Sequence, residues 1–129
     1  DWASHDIEHE LSAQYDIAHG AGLSIVFPAW MKYVYKTDID KFVQFAVRVF
    51  DVSLAFDDKE RIVFEMIDRL EGWYKKMGLP TRLSDVGIGE EHFRLMAERC
   101  LAERDGRNGL GNFQHLQVED IYNIYRLAL

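Results

Sequence analysis

Residues 23–35 are apolar on almost every side: Ile25, Val26, Phe27, Trp30, Met31 and Val34 leave no continuous polar face. A helix of that kind cannot lie on a surface and has to be enclosed by other elements. The rest of the chain offers helices for the purpose. In residues 1–15, free of Gly and Pro, Ile7, Leu11 and Tyr15 recur every four residues, a helical period. Thr37 or Asp38 caps a helix over 40–50 with Phe42, Phe45, Ala46 and Val49 inward. Asp57 and Asp58 open a longer one, to about Met77, striped by Ile62, Met66, Ile67, Leu70, Trp73 and Tyr74 and stopped by Gly78 and Pro80. Residues 90–104 carry Phe93, Met96, Ala97 and Leu101 on one face, and 117–129 carry Val118, Ile121, Tyr122, Tyr125 and Leu127. Gly20, Ala21 and Gly22 are expected to break the first helix from the second, and Pro28 to kink the second or start a new turn. Residues 83–89 read as a connector and 105–115 as a Gly/Asn-rich loop. No alternating apolar–polar run bounded by turn residues marks a strand. The expected architecture is all-α: one domain over 1–129, a bundle of about six helices with no substantial sheet.

Composition narrows the function classes. A net charge of -7 with no basic block argues against a nucleic-acid partner, because phosphate binding needs clustered Lys and Arg. No apolar run reaches the roughly 18 residues of a membrane span. Cys100 is the sole cysteine, so no internal disulfide forms; it reads as inert filler, and the expected location is the cytoplasm. The chain starts at Asp1, without an initiator Met or a leader-like stretch, directly in a His-rich segment. That start suggests a piece of something longer.

Three of the five histidines, His5, His9 and His19, fall within the first 19 residues, among Glu8, Glu10 and Asp16. His5 and His9 are four apart and share a helix face, a spacing that helical metal sites use. His19 lies 14 residues beyond His5, about 21 Å along a straight helix. It meets His5 only if the chain turns back, for which Gly20 and Gly22 provide the break. A solvated helix face explains an isolated His pair equally well. His5-Asp6 is also similar to the HD dipeptide of helical metal phosphohydrolases, although nothing upstream supplies that site's further His. A non-catalytic helical interaction module is the remaining alternative. Phe27, Trp30, Tyr33 and Tyr35 read as core, with lining of a cleft as the alternative; His92 reads as solvated, and His115 lies in the Gly-rich loop. No GxGxxG, no Walker loop and no strand–Gly turn–helix unit is present.

The run from Asp1 through His5, Glu8-His9-Glu10-Leu11-Ser12-Ala13, His19-Gly20-Ala21-Gly22-Leu23 and Phe27-Pro28-Ala29-Trp30 strongly resembles the iron-containing (group III) alcohol dehydrogenases, nearest to the butanol-dehydrogenase-like branch. Leu79-Pro80-Thr81, Leu83-Ser84-Asp85 and the stretch from Glu119 to Leu127 extend the resemblance to the end of the chain. It implies the helical, dehydroquinate-synthase-like C-terminal domain of such an enzyme, with an N-terminal Rossmann-like cofactor domain lying outside this chain. It also implies a divalent metal held by one Asp and three His. Iron is expected first, with zinc, manganese or nickel as alternatives. His5 and His19 match two of those ligands. His9 matches a histidine near metal and nicotinamide, implied in proton transfer or cofactor positioning, and this places it beside the metal rather than on it. The implied reaction interconverts primary alcohols and aldehydes by hydride transfer to or from NAD or NADP. With two of four ligands the chain alone is expected to be inactive, and the surface once covered by the missing domain favours homo-oligomers.

Overall fold

The computed structural model describes residues 1–54, 58–103 and 108–129. Among them are six α-helices: α1 (Ala3–Tyr15), α2 (His19–Val34), α3 (Ile39–Phe50), α4 (Lys59–Lys76), α5 (Phe93–Ala102) and α6 (Val118–Ala128). Short 3-10 turns cover Tyr35–Asp38 and Ser84–Val86. Among the described residues the one β-type pairing is an isolated bridge, Leu110 with Leu116. Asp57, expected to open α4, and Arg104 and Asp105, expected at the end of α5 and the start of the loop, lie outside the described residues.

The apolar helix sits where its sequence demands. α2 packs against α1, α4 and α6, and Ile25, Val26, Met31 and Val34 are fully enclosed with Ile7, Leu11, Met66, Ile67, Ile121 and Tyr125. α1 closes against α5, and α3 pairs with α4. Pro28 lies inside α2 without ending it. Cys100 is buried in the same core.

Several sequence expectations are corrected here. The break between the first two helices falls on residues 16–18, not on the glycines. Asp16 takes a left-handed conformation, φ 55, and its N–H donates to the Ser12 carbonyl at 2.9 Å, which ends α1 in the usual C-terminal manner. Gly20 and Gly22 are inside α2. Val49, Trp73 and Leu127, expected inward, are exposed; the 3.6-residue period carries Val49 and Trp73 past the stripe that Ala46 and Leu70 bury. Asp38 rather than Thr37 caps α3, accepting from the Lys41 N–H.

α6 opens on a reciprocal cap. The Gln117 side chain accepts from the backbone at Asp120, while Asp120 Oδ2 accepts from the Gln117 N–H at 2.7 Å. The Tyr33 hydroxyl of α2 donates to the other Asp120 oxygen at 2.6 Å. Asp120 thus satisfies an otherwise orphaned donor at the helix start and ties α6 to the central helix. Asp120→Ala is expected to cost about 1–2 kcal/mol, read as a lower urea midpoint at unchanged slope.

Candidate metal and substrate site

The left-handed turn at Asp16 folds α2 back along α1, and the histidines converge as a result. His5 and His9 are on α1 and His19 is the first residue of α2. The His5 and His19 ring centroids are 5.5 Å apart, those of His9 and His19 5.1 Å. His5 is partly buried and carries the edge of Trp2 at 4.7 Å. Donor atoms of Glu8, His9 and His19 lie within 4.8 Å of one another. The sequence singled out all three histidines; Glu8 it left as one carboxylate among several.

Glu8 is fully buried. Its Oε2 is hydrogen-bonded to His19 Nδ1, and Oε1 lies 2.5 Å from the Ser12 hydroxyl. That hydroxyl is also 2.9 Å from the Ile17 carbonyl; with one proton, it serves one acceptor at a time. Asp6, the second half of the His5-Asp6 pair, lies beside His9, with Oδ1 4.0 Å from Nδ1.

A groove of about 400 Å³ opens next to His5, walled by Ser4, Leu23, Phe27, Trp30 and Tyr74. Phe27 stacks on Trp30 at 5.9 Å. Phe27 and Trp30 therefore serve as core on one side and as groove wall on the other. Burial pushes the Tyr74 phenol up from its ordinary value, so it stays a neutral hydroxyl near pH 7. Asp1, at the edge of this groove, holds the loop that the Leu110–Leu116 bridge closes. Asp1 Oδ2 accepts from the Asn112 and Phe113 N–H groups at 2.9 and 2.6 Å, and Phe113 packs edge-on against Trp30. His115 on that loop is exposed. His92 is the residue before α5, half-buried with its ring 6.0 Å from Tyr15.

The residues fit a divalent transition metal. Imidazole nitrogens are the donors such ions prefer, and His5 Nδ1 is buried without a hydrogen-bond partner. A buried polar atom of that kind is costly unless something binds it.

The model of the Fe-containing alcohol dehydrogenase family, C-terminal, matches residues 1–129. The chain belongs to this family. A probable NADH-dependent butanol dehydrogenase of Bacillus subtilis is 40% identical over 129 residues, covering 100% of this chain and 33% of the relative. The NADH-dependent butanol dehydrogenase A of Thermotoga maritima, a crystal structure, is 41% identical with a TM-score of 0.88, covering 99% of this chain and 33% of that one. The aldehyde reductase YqhD of Escherichia coli superposes with a TM-score of 0.90 at 28% identity, over 100% of this chain and 33% of that one. The chain thus spans about a third of the length of the relatives it matches. Membership in the iron-containing alcohol dehydrogenases bears out the all-α fold and the butanol-dehydrogenase-like resemblance, and it displaces the HD-type reading. No helix among the described residues is long and apolar enough to cross a membrane.

Proposed function

We propose that the chain is the helical domain of a metal-dependent, NAD(P)-linked dehydrogenase acting on primary alcohols and their aldehydes. The observation that carries this is the convergence of His5, His9 and His19 across the α1–α2 turn, beside an apolar groove. His5 and His19 hold the metal in this reading. Iron is the first expectation, and the imidazole donors also admit zinc, manganese or nickel. When bound, the metal supplies Lewis-acid polarisation of the substrate oxygen. The remaining ligands and the nicotinamide site belong to sequence outside these 129 residues, as the relatives' threefold greater length supports. The domain alone is then inactive.

His9 keeps a half-exposed side chain, 49%. An imidazole offers one donor and one acceptor nitrogen, which suits proton transfer to or from the substrate oxygen and contact with the nicotinamide. Phe27 and Trp30 take the alkyl chain and exclude water from it. Proposed partners are a short primary alcohol or aldehyde, the cofactor domain, and further copies of the chain. A single cysteine, buried at position 100, leaves no internal disulfide to form and suits a cytoplasmic location.

The test uses the intact protein, with metal content by elemental analysis and butanol–butanal turnover with each nicotinamide cofactor. His5→Ala and His19→Ala are expected to purify with little metal and no turnover. His9→Gln is expected to keep its metal and lose roughly 100-fold or more in kcat. Wild-type metal content and turnover in either His5→Ala or His19→Ala sink the assignment.

A further inference from the structure

We infer that Glu8 is a positioning residue for His19, setting which imidazole nitrogen is left for the metal, and that Gly22 is the gap that admits it. This rests on the metal reading above. A carboxylate with no exposed surface is expensive unless its oxygens are bonded. Glu8 has no exposed surface, and its two oxygens have separate partners. Oε1 faces the Ser12 hydroxyl one helical turn along α1, and Oε2 is hydrogen-bonded to His19 Nδ1 across the turn. An acceptor on Nδ1 places the ring proton there and leaves Nε2 with its lone pair. Histidines that ligate metals are generally held in this way, by a carboxylate or carbonyl on the second nitrogen.

Position 22 supports the same arrangement independently. A Cβ added there would fall 2.6 Å from Glu8 Cγ and 2.7 Å from Cδ. Gly22 is helical, without positive φ, so backbone conformation does not require glycine. The side chain of Glu8 does. Residues 8, 12, 19 and 22 form one device, in which a residue without a side chain makes room for a buried carboxylate that orients a histidine. Glu8, His9 and His19 could instead be read as a three-ligand set. The engagement of both Glu8 oxygens favours the positioning role.

Two readouts on the intact protein decide the matter. The first is histidine nitrogen NMR of the metal-free protein, which reports the His19 tautomer. Wild type is expected to carry the proton on Nδ1, and Glu8→Ala to shift it toward Nε2. Glu8→Gln, which keeps a carbonyl acceptor, is expected to retain the wild-type tautomer. A residue that merely filled space would not move this signal. The second is zinc affinity by chelator competition. Glu8→Ala is expected to weaken binding by roughly 10–100-fold, with most of the loss restored in Glu8→Gln. An unchanged tautomer in Glu8→Ala overturns the proposal, as does an equal loss of zinc affinity in Glu8→Ala and Glu8→Gln, which would make Glu8 a ligand. His19→Ala separates the two layers. If it binds zinc as wild type does, the metal reading fails and the positioning role falls with it. If it loses zinc while Glu8→Ala does not, only the positioning role fails.

Discussion

Glu71→Ala is expected to destabilise the domain by about 3–5 kcal/mol. Lys32 Nζ on α2 meets Glu71 Oε1 on α4 at 2.5 Å, and the two side chains are 14% and 10% exposed. Most surface ion pairs contribute little, because water screens them and the side chains lose entropy on pairing. This pair is different, since both charges are largely withdrawn from water between packed helices. Deleting the carboxylate leaves the Lys32 ammonium buried with no opposite charge at Glu71, and the desolvation cost of that ammonium is then uncompensated. Replacing both residues by methionine removes both charges together and fills similar volume. The double variant is therefore expected to be near wild type or more stable. Urea unfolding followed by far-UV circular dichroism compares both variants with wild type. A single-variant loss below about 1 kcal/mol, the range of exposed pairs, would show that water reaches the pair.

Phe93→Ala should cost a similar amount, about 3–5 kcal/mol, for a different reason. Phe93 is fully buried at the start of α5 and stacks on Tyr125 of α6, with centroids 5.5 Å apart and 28° between planes. The Tyr125 hydroxyl donates to the Ile7 carbonyl of α1 at 2.7 Å, and burial holds its phenol well above the ordinary value. One aromatic pair thus locks α5 and α6 onto the helix that carries His5. Truncation leaves a cavity that three packed helices cannot close, so both transfer energy and dispersion contacts are lost. Phe93→Leu keeps most of the volume and is expected to lose about half as much or less. Equal losses in the two variants would mean that ring stacking, rather than filled volume, dominates.

The helical core was legible in the chain because it depends on local periodicity. Residues 23–35 could only be a buried helix, and the stripes of Ile62, Met66, Ile67 and Leu70 and of Ile121 and Tyr125 face inward as their spacing dictates. The errors fall at edges. Val49, Trp73 and Leu127 belong to apolar patterns, yet which helix face is covered is settled by neighbours distant in sequence. The misplaced break has the same origin: Gly20 and Gly22 carry a turn signal, but glycine is used for backbone conformation or for space, and sequence alone does not tell which. Here Asp16 makes the turn and Gly22 makes the space.

The sequence by itself determined the family, and it singled out the histidines of the proposed site. His5, His9 and His19 sit in a long, specific motif, and residue identity at fixed spacing is information the chain carries directly. Only the tertiary structure decided what holds them. Glu8 is one of many carboxylates in an acidic chain, and nothing in its spacing distinguishes it from Glu10. Its role exists because the Asp16 turn brings His19 back onto α1. The energy of a buried carboxylate also depends on which donors surround it in space, not on its neighbours along the chain.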